Sequence, residues 1–279
     1  MHFLRWRLKK IGRWPPEIAV SSWSFRHEFK RERGLDILGF PRFVKERLGI
    51  TNLELLINNF PSEDESFFQE VRRSLDAVGA KAVCLAINND FTLVGEELER
   101  EILHASALVR KAAILGVPLV RVNPGFREPG QPAETARGVT SALRQLAEVA
   151  SQHGVRLAVE NQGFFGMRPE NMLQVLDAVA RPAWVGACVD FGNFFPEDRN
   201  STRAMRLCAW ATHVHAKSYA FDAEGNETSI RYLDWIAALK RAGYRGYLSV
   251  EYEGPLDTDE MECVGKTIRL IKHCLQQVG

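Results

Sequence analysis

The stretch Arg156-Leu-Ala-Val-Glu-Asn161 places three apolar residues in a row and then a carboxylate. Before it, Thr135 to His153 carries apolar residues at helical spacing and stops at Gly154, a residue suited to the left-handed position that closes a helix. After it, Pro169-Glu170 opens another helical pattern with proline in the first turn. A run this short between two helical patterns reads as a buried strand. The same unit recurs along the chain. Its other strand candidates are Ile18–Trp23, Asn52–Ile57, Ala82–Ile87, Leu119–Asn123, Val185–Asp190, Thr212–His215 and Tyr247–Glu251. Helical patterns fill the gaps at Glu96–Leu115, Ser229–Ala242 and Thr258–Val278.

Eight strands alternating with helices imply a parallel sheet, and the count of eight predicts a single closed (β/α)8 TIM barrel. The alternative is an open doubly wound sheet. No GxGxxG or Walker loop follows any strand, which argues against that fold and against a dinucleotide or nucleoside-triphosphate enzyme. No linker divides the chain, so residues 17–279 read as one barrel domain and residues 1–16 as a basic extension containing Arg5, Arg7, Lys9, Lys10 and Arg13. That extension is expected to pack on the domain or fray, with a membrane-surface or partner-binding helix as the alternative. It lacks an apolar core after its charges, so it does not read as a secretory signal, and a cytoplasmic protein is expected.

Lys plus Arg (36) balances Asp plus Glu (35), so no overall field points to nucleic acid or a membrane as partner. The five cysteines form no CxxC pair, which leaves reduced thiols as the default.

Barrel enzymes place their chemistry at the C-terminal ends of the strands. Glu160, Asp190, His215 and Glu251 sit at the ends of the last four strand candidates, which are consecutive neighbours. If all four point inward, three carboxylates and an imidazole converge. The carboxylates would repel one another without a cation, so one divalent metal ion is expected there: Mn, Mg, Co or Zn. Residues two apart share a strand face. His213 therefore lies deeper than His215, as a supporting or core group, and Lys217 lies nearer the mouth and the substrate. Glu253 shares that parity with Glu251 further into the loop. Arg121 and Asn123 face inward on their strand as candidate substrate contacts. Asn88, Asn89 and Glu54 are further polar candidates. Trp23, Phe25, Phe164, Phe165, Phe194, Phe195 and Tyr219 surround the predicted mouth and would either stack on a substrate ring or plug the barrel top.

Four segments carry a family pattern: Leu157-Ala-Val-Glu-Asn161, Val189-Asp-Phe-Gly-Asn193, His213-Val-His-Ala-Lys217 and Leu248-Ser-Val-Glu251. With them the chain, from about Ile18 onward, resembles the xylose isomerase-like barrel superfamily, the sugar-phosphate isomerase/epimerase group. The resemblance implies Glu160, Asp190, His215 and Glu251 as metal ligands, and Glu160 and Glu251 as the catalytic acid/base pair. It implies Asn193 as a substrate-contacting position and matches Lys217 to the lysine of an HxK pattern. The segment Asn161–Gly166 lacks the extra glutamate of ketohexose epimerases, and Tyr219–Phe221 lacks their arginine. The implied activity is a metal-dependent sugar isomerase or epimerase acting by proton transfer beside a carbonyl through a stabilised enediolate. A metal-dependent dehydratase or lyase on a keto-polyol or cyclic keto acid is the alternative, as is a non-catalytic sugar- or metal-binding barrel. The expected partner is a small sugar or polyol, with a homo-oligomer possible.

Overall fold

A computed structural model describes residues 14–30, 34–128 and 131–279. The basic residues of the N-terminal extension, Arg5 to Arg13, lie outside the described residues. Eight strands form a closed parallel barrel in chain order. They are β1 (Glu17–Ser21), β2 (Asn52–Leu56), β3 (Lys81–Ala86), β4 (Leu119–Val122), β5 (Arg156–Glu160), β6 (Val185–Asp190), β7 (Ala211–Ser218) and β8 (Tyr247–Tyr252). The helices are α1 (Phe40–Leu48), α2 (Glu65–Val78), α3 (Gly95–Leu115), α4 (Pro132–Gln152) and α5 (Gly163–Gly166). They continue with α6 (Pro169–Val179), α7 (Thr202–Met205), α8 (Tyr232–Ala242) and α9 (Glu260–Val278).

The expected strands and long helices are present, with ends shifted by a few residues. The largest difference is β7, which continues to Ser218 and so places Lys217 within the sheet rather than beyond it. Each strand is hydrogen-bonded on both sides and enclosed by helices, so apolar residues suit both its faces. Leu157, Val159, Val189, Val214 and Val250 are fully buried in the main core with helix residues such as Leu143, Leu146, Leu176, Trp235 and Ile271. Trp235 of α8 stacks on Phe191 (centroids 5.0 Å apart, planes at 16°) and on Phe194 (5.7 Å, 12°). Trp14, half-buried, packs against the same core and lies under Lys240 and Arg245.

Two register shifts interrupt the strand pairing, one between β2 and β3 at Leu53/Glu54 and one between β6 and β7 at Ala187/Cys188. Above the second shift, Asp190 pairs with His215, and Lys217 of β7 pairs with Glu251 of β8. The strands thus deliver charged residues to one level at their C-terminal ends.

Candidate metal centre

Glu160, Asp190, His215 and Glu251 each place a potential ligand atom within 4.8 Å of all the others, and all four are buried. His215 Nδ1 is the hub. It lies 3.0 Å from Glu160 Oε1, 3.2 Å from Glu251 Oε2 and 3.6 Å from Asp190 Oδ2. Asp190 is oriented by its other oxygen: Oδ1 accepts from the backbone amides of Gly192 (2.7 Å) and Asn193 (2.9 Å). Asn161 brackets the same residue, donating to its carbonyl at 2.9 Å and accepting from its amide at 2.8 Å. Asn193 donates to Glu160 Oε1 at 3.1 Å.

Two permanent cations flank the cluster. Arg121 Nε lies 3.1 Å from Glu160 Oε2, and the same side chain donates to the Ile87 carbonyl (2.8 Å) and to Asn123 Oδ1 (3.0 Å). Lys217 Nζ lies 2.8 Å from Glu251 Oε2, 3.3 Å from Asp190 Oδ2 and 2.6 Å from Glu253 Oε2. Lys217 is 1% exposed. A Cβ at position 192 would come within 2.6 Å of Lys217 Cγ, so Gly192 leaves room for the lysine stem. The ammonium is therefore buried against three carboxylates, a finer placement than the expected substrate-facing position near the mouth.

The residues fit a divalent cation on three grounds. Among the described residues, Glu160 Oε2, Asp190 Oδ2 and Glu251 Oε2 are buried and find no hydrogen-bond donor of good geometry, although the two cations stand within ion-pair distance. Unsatisfied buried carboxylate oxygens are costly and call for a partner. Second, the five carboxylates of Glu54, Glu160, Asp190, Glu251 and Glu253 outnumber the permanent cations Arg121 and Lys217. Third, oxygen donors with one imidazole nitrogen suit a first-row divalent ion or magnesium.

The titration behaviour follows from the same contacts. Burial pushes the Asp190 carboxyl up to about 6 despite its Lys217 neighbour. Burial also opposes charge on Glu160 and Glu251, but Arg121 and His215 hold the first below the ordinary carboxylate value, and His215 and Lys217 hold the second well below it. Burial disfavours a charged His215, yet its carboxylate neighbours keep its pKa well above an ordinary imidazole. Cys188 beside it is pushed up to about 12 by burial and stays a neutral thiol.

Other sequence candidates are placed as follows. Asn123 is fully buried and its Nδ2 has no hydrogen-bond acceptor among the described residues; its backbone is clasped by Asn89. Asn88 lies instead at the surface, donating to Asn58. Trp23 is half-buried in a 3-10 turn after β1, with the Arg26 guanidinium 5.7 Å from its ring. The aromatic group divides. Phe25, Phe165 and Phe194 are core residues, whereas Phe164 remains half-exposed and Phe195 lies under Arg168. Phe25 packs edge-on against Phe40 and Phe43.

Two features escaped sequence reasoning. Glu54 was legible only as an inward polar residue; in the fold it bridges His213 and His215. Arg26, His27 and Glu260 form a clasp: Arg26 donates to the Tyr252 and Gly254 carbonyls, and Glu260 accepts from the His27 and Glu28 amides. This ties the loop after β1 to the loop that follows Glu251. More than two hundred residues separate the partners, and no local pattern announces them.

The chain is similar to the C-glycoside deglycosidase alpha subunit of Microbacterium trichothecenolyticum, 26% identical over 79% of this chain and 74% of that protein. It is also similar to the 3'-dehydrocarminate deglycosidase alpha subunit of a Microbacterium species, 29% identical over 58% of this chain and 47% of that one. Among solved structures, 3-keto-D-glucoside 4-epimerase from E. coli superposes with a TM-score of 0.71 at 16% identity, over 93% of this chain and all of that one. Residues 44–274, most of the barrel and its four charged strand ends, match one family, and the chain belongs to it: the xylose isomerase-like TIM barrels.

Proposed function

We propose that this barrel is a divalent-metal-dependent enzyme that removes a proton from the carbon beside a ketone on a sugar ring, and that it uses the resulting enediolate to expel an aglycone from a keto-glycoside. The observation that carries the reading is the convergence of three buried carboxylates with unsatisfied oxygens on His215 Nδ1. A cation held by Glu160, Asp190, His215 and Glu251 would supply Lewis-acid stabilisation of negative charge on the ketone oxygen. Glu160 and Glu251 come from β5 and β8, with two strands between them, and so reach a bound ring from different sides. One carboxylate takes the α-proton. The electron pair forms the ring double bond as the bond to the aglycone breaks, and the departing group takes up the proton that the first carboxylate has just accepted. Arg121 keeps Glu160 ionised for its part in this exchange. Asn123 Nδ2, with no hydrogen-bond partner among the described residues, suits a substrate hydroxyl; Asn193, Lys217 and Trp23 complete the proposed contacts.

The choice of elimination over isomerisation is supported by the deglycosidase relatives, one of whose names specifies a dehydro-sugar. Epimerisation is the second reading, supported by the 3-keto-glucoside epimerase fold; it shares the first step and differs only in returning the proton to the opposite face. Because both deglycosidase relatives are named as alpha subunits, the active assembly is proposed to include a second, different chain. Full activity of a lone monomer in light scattering would count against that part.

The test is incubation in deuterated water with each of the four candidate metals and with C- and O-linked aryl 3-keto-glucosides. Deuterium uptake beside the ketone with aglycone release is expected, and Glu160→Gln or Glu251→Gln should slow it by about 100- to 10,000-fold. Uptake without release favours the epimerase, and no uptake with any keto-sugar refutes both.

A further inference from the structure

Glu54 and His213 lie outside the four-residue cluster, yet both are buried directly behind it. Glu54 Oε2 lies 2.7 Å from His213 Nε2, and Glu54 Oε1 lies 2.9 Å from His215 Nε2. A carboxylate set between two ring nitrogens accepts a hydrogen bond from each, so both Nε2 atoms carry protons. With its Nε2 proton committed to Glu54, a neutral His215 has its lone pair on Nδ1, the atom that faces Glu160, Asp190 and Glu251. Among three carboxylates that nitrogen is matched by a proton in the metal-free fold or by a bound metal ion.

We propose that Glu54, braced by His213, is the positioning residue that fixes the His215 tautomer and so presents Nδ1 to the divalent ion. The inference rests on the metal reading above and deepens it. The carboxylate also raises the basicity of the imidazole through the shared proton. His213 has a narrow part. Its Nδ1 finds no partner among the described residues, so its one polar contact is the hydrogen bond that stops Glu54 from rotating. Parity along β7 puts both imidazoles on one face, and β2 reaches them from the far side of the barrel. A single carboxylate thereby sets two rings.

The experiment compares the full-length wild type with Glu54→Gln, His213→Leu and His213→Gln, each checked for folding by circular dichroism. Zinc and manganese affinities are measured by calorimetry, and the His215 tautomer is read by imidazole 15N correlations in the zinc-loaded protein. The wild type should bind about one zinc and show His215 protonated at Nε2. Glu54→Gln and His213→Leu should weaken metal binding by about 10- to 100-fold. His213→Gln keeps a donor for Glu54 and should restore affinity to near the wild-type value. Wild-type affinity in both Glu54→Gln and His213→Leu overturns this inference alone, as does an Nδ1-protonated His215 in the wild type, which needs no variant to fold. Absence of metal binding by the wild type overturns the metal reading and the inference together.

Discussion

Replacing Asp190 with Asn changes the charge of the proposed metal centre while keeping its shape. Asp190 Oδ1 accepts from the Gly192 and Asn193 amides, and a carboxamide oxygen accepts both equally well. The altered atom is Oδ2, which accepts no hydrogen bond from the described residues and lies 3.6 Å from His215 Nδ1. Asn would turn an NH2 group toward the cation. A metal at about a hundredfold excess over its Kd stabilises a folded protein by about 2.7 kcal/mol. For a barrel of this size each kcal/mol is worth roughly 2–4 °C, so the wild-type Tm should rise by about 5–11 °C. In Asp190→Asn the rise should vanish at the same metal concentration. The metal-free proteins should differ in the opposite sense. Asp190 titrates at about 6 in the fold, above an ordinary aspartate near 3.9, so the metal-free fold loses stability as pH climbs from about 4 through 6. At about pH 7.5 the full cost is present and Asn removes it, so metal-free Asp190→Asn should melt above the metal-free wild type. Scanning calorimetry with Mn, Mg, Co, Zn or EDTA decides the matter. A variant whose Tm still rises with metal refutes the ligand assignment, and a metal-free variant that melts lower refutes the charge argument.

Trp235→Ala removes a fully buried ring stacked on Phe191 and Phe194 and should cost roughly 3–5 kcal/mol, read as a lower urea midpoint with an unchanged m-value. Gly163→Ala puts a Cβ onto the Gly125 carbonyl oxygen at a residue with φ +70°, so the loops after β4 and β5 must separate. A loss of about 1–3 kcal/mol in urea unfolding is expected, and a neutral effect would show that this contact is slack. All five cysteines are buried, and burial pushes Cys188 and Cys208 up to about 12. Thiolate appears only as pH approaches those values, so iodoacetamide at about pH 8 should leave Cys188 and Cys208 unmodified in the native protein and alkylate them in denaturant, as read by peptide mass.

Much of the barrel and of its charged rim was legible because both rest on local regularities. Buried parallel strands are short apolar runs, and a carboxylate or histidine at the end of such a run stands out: Glu160, Asp190 and Glu251 each follow a valine. Strand parity ordered His213, His215 and Lys217 along β7. What stayed hidden was partnership across the barrel. Nothing near Glu54 indicates that it meets side chains 159 and 161 residues away. The length of β7 was also hidden: the sequence puts Lys217 past the strand end near the mouth, whereas the longer strand buries it among Asp190, Glu251 and Glu253. The aromatics were ambiguous for a related reason. Phe165 and Phe164 are adjacent in sequence, and only packing decides that one is core and the other half-exposed.

The closure of β1 onto β8 has a consequence for how the protein is made. Glu17 to Val20 find their partners in Tyr247 to Val250, some 230 residues later. While the nascent chain leaves the ribosome, β1 waits with one edge unpaired until the last strand emerges. Glu54 is synthesised early in that interval, and the cluster it backs is not complete until Glu251 has appeared. The growing sheet must therefore stay soluble with open edges through most of translation, a period in which chaperones have the strongest reason to engage it.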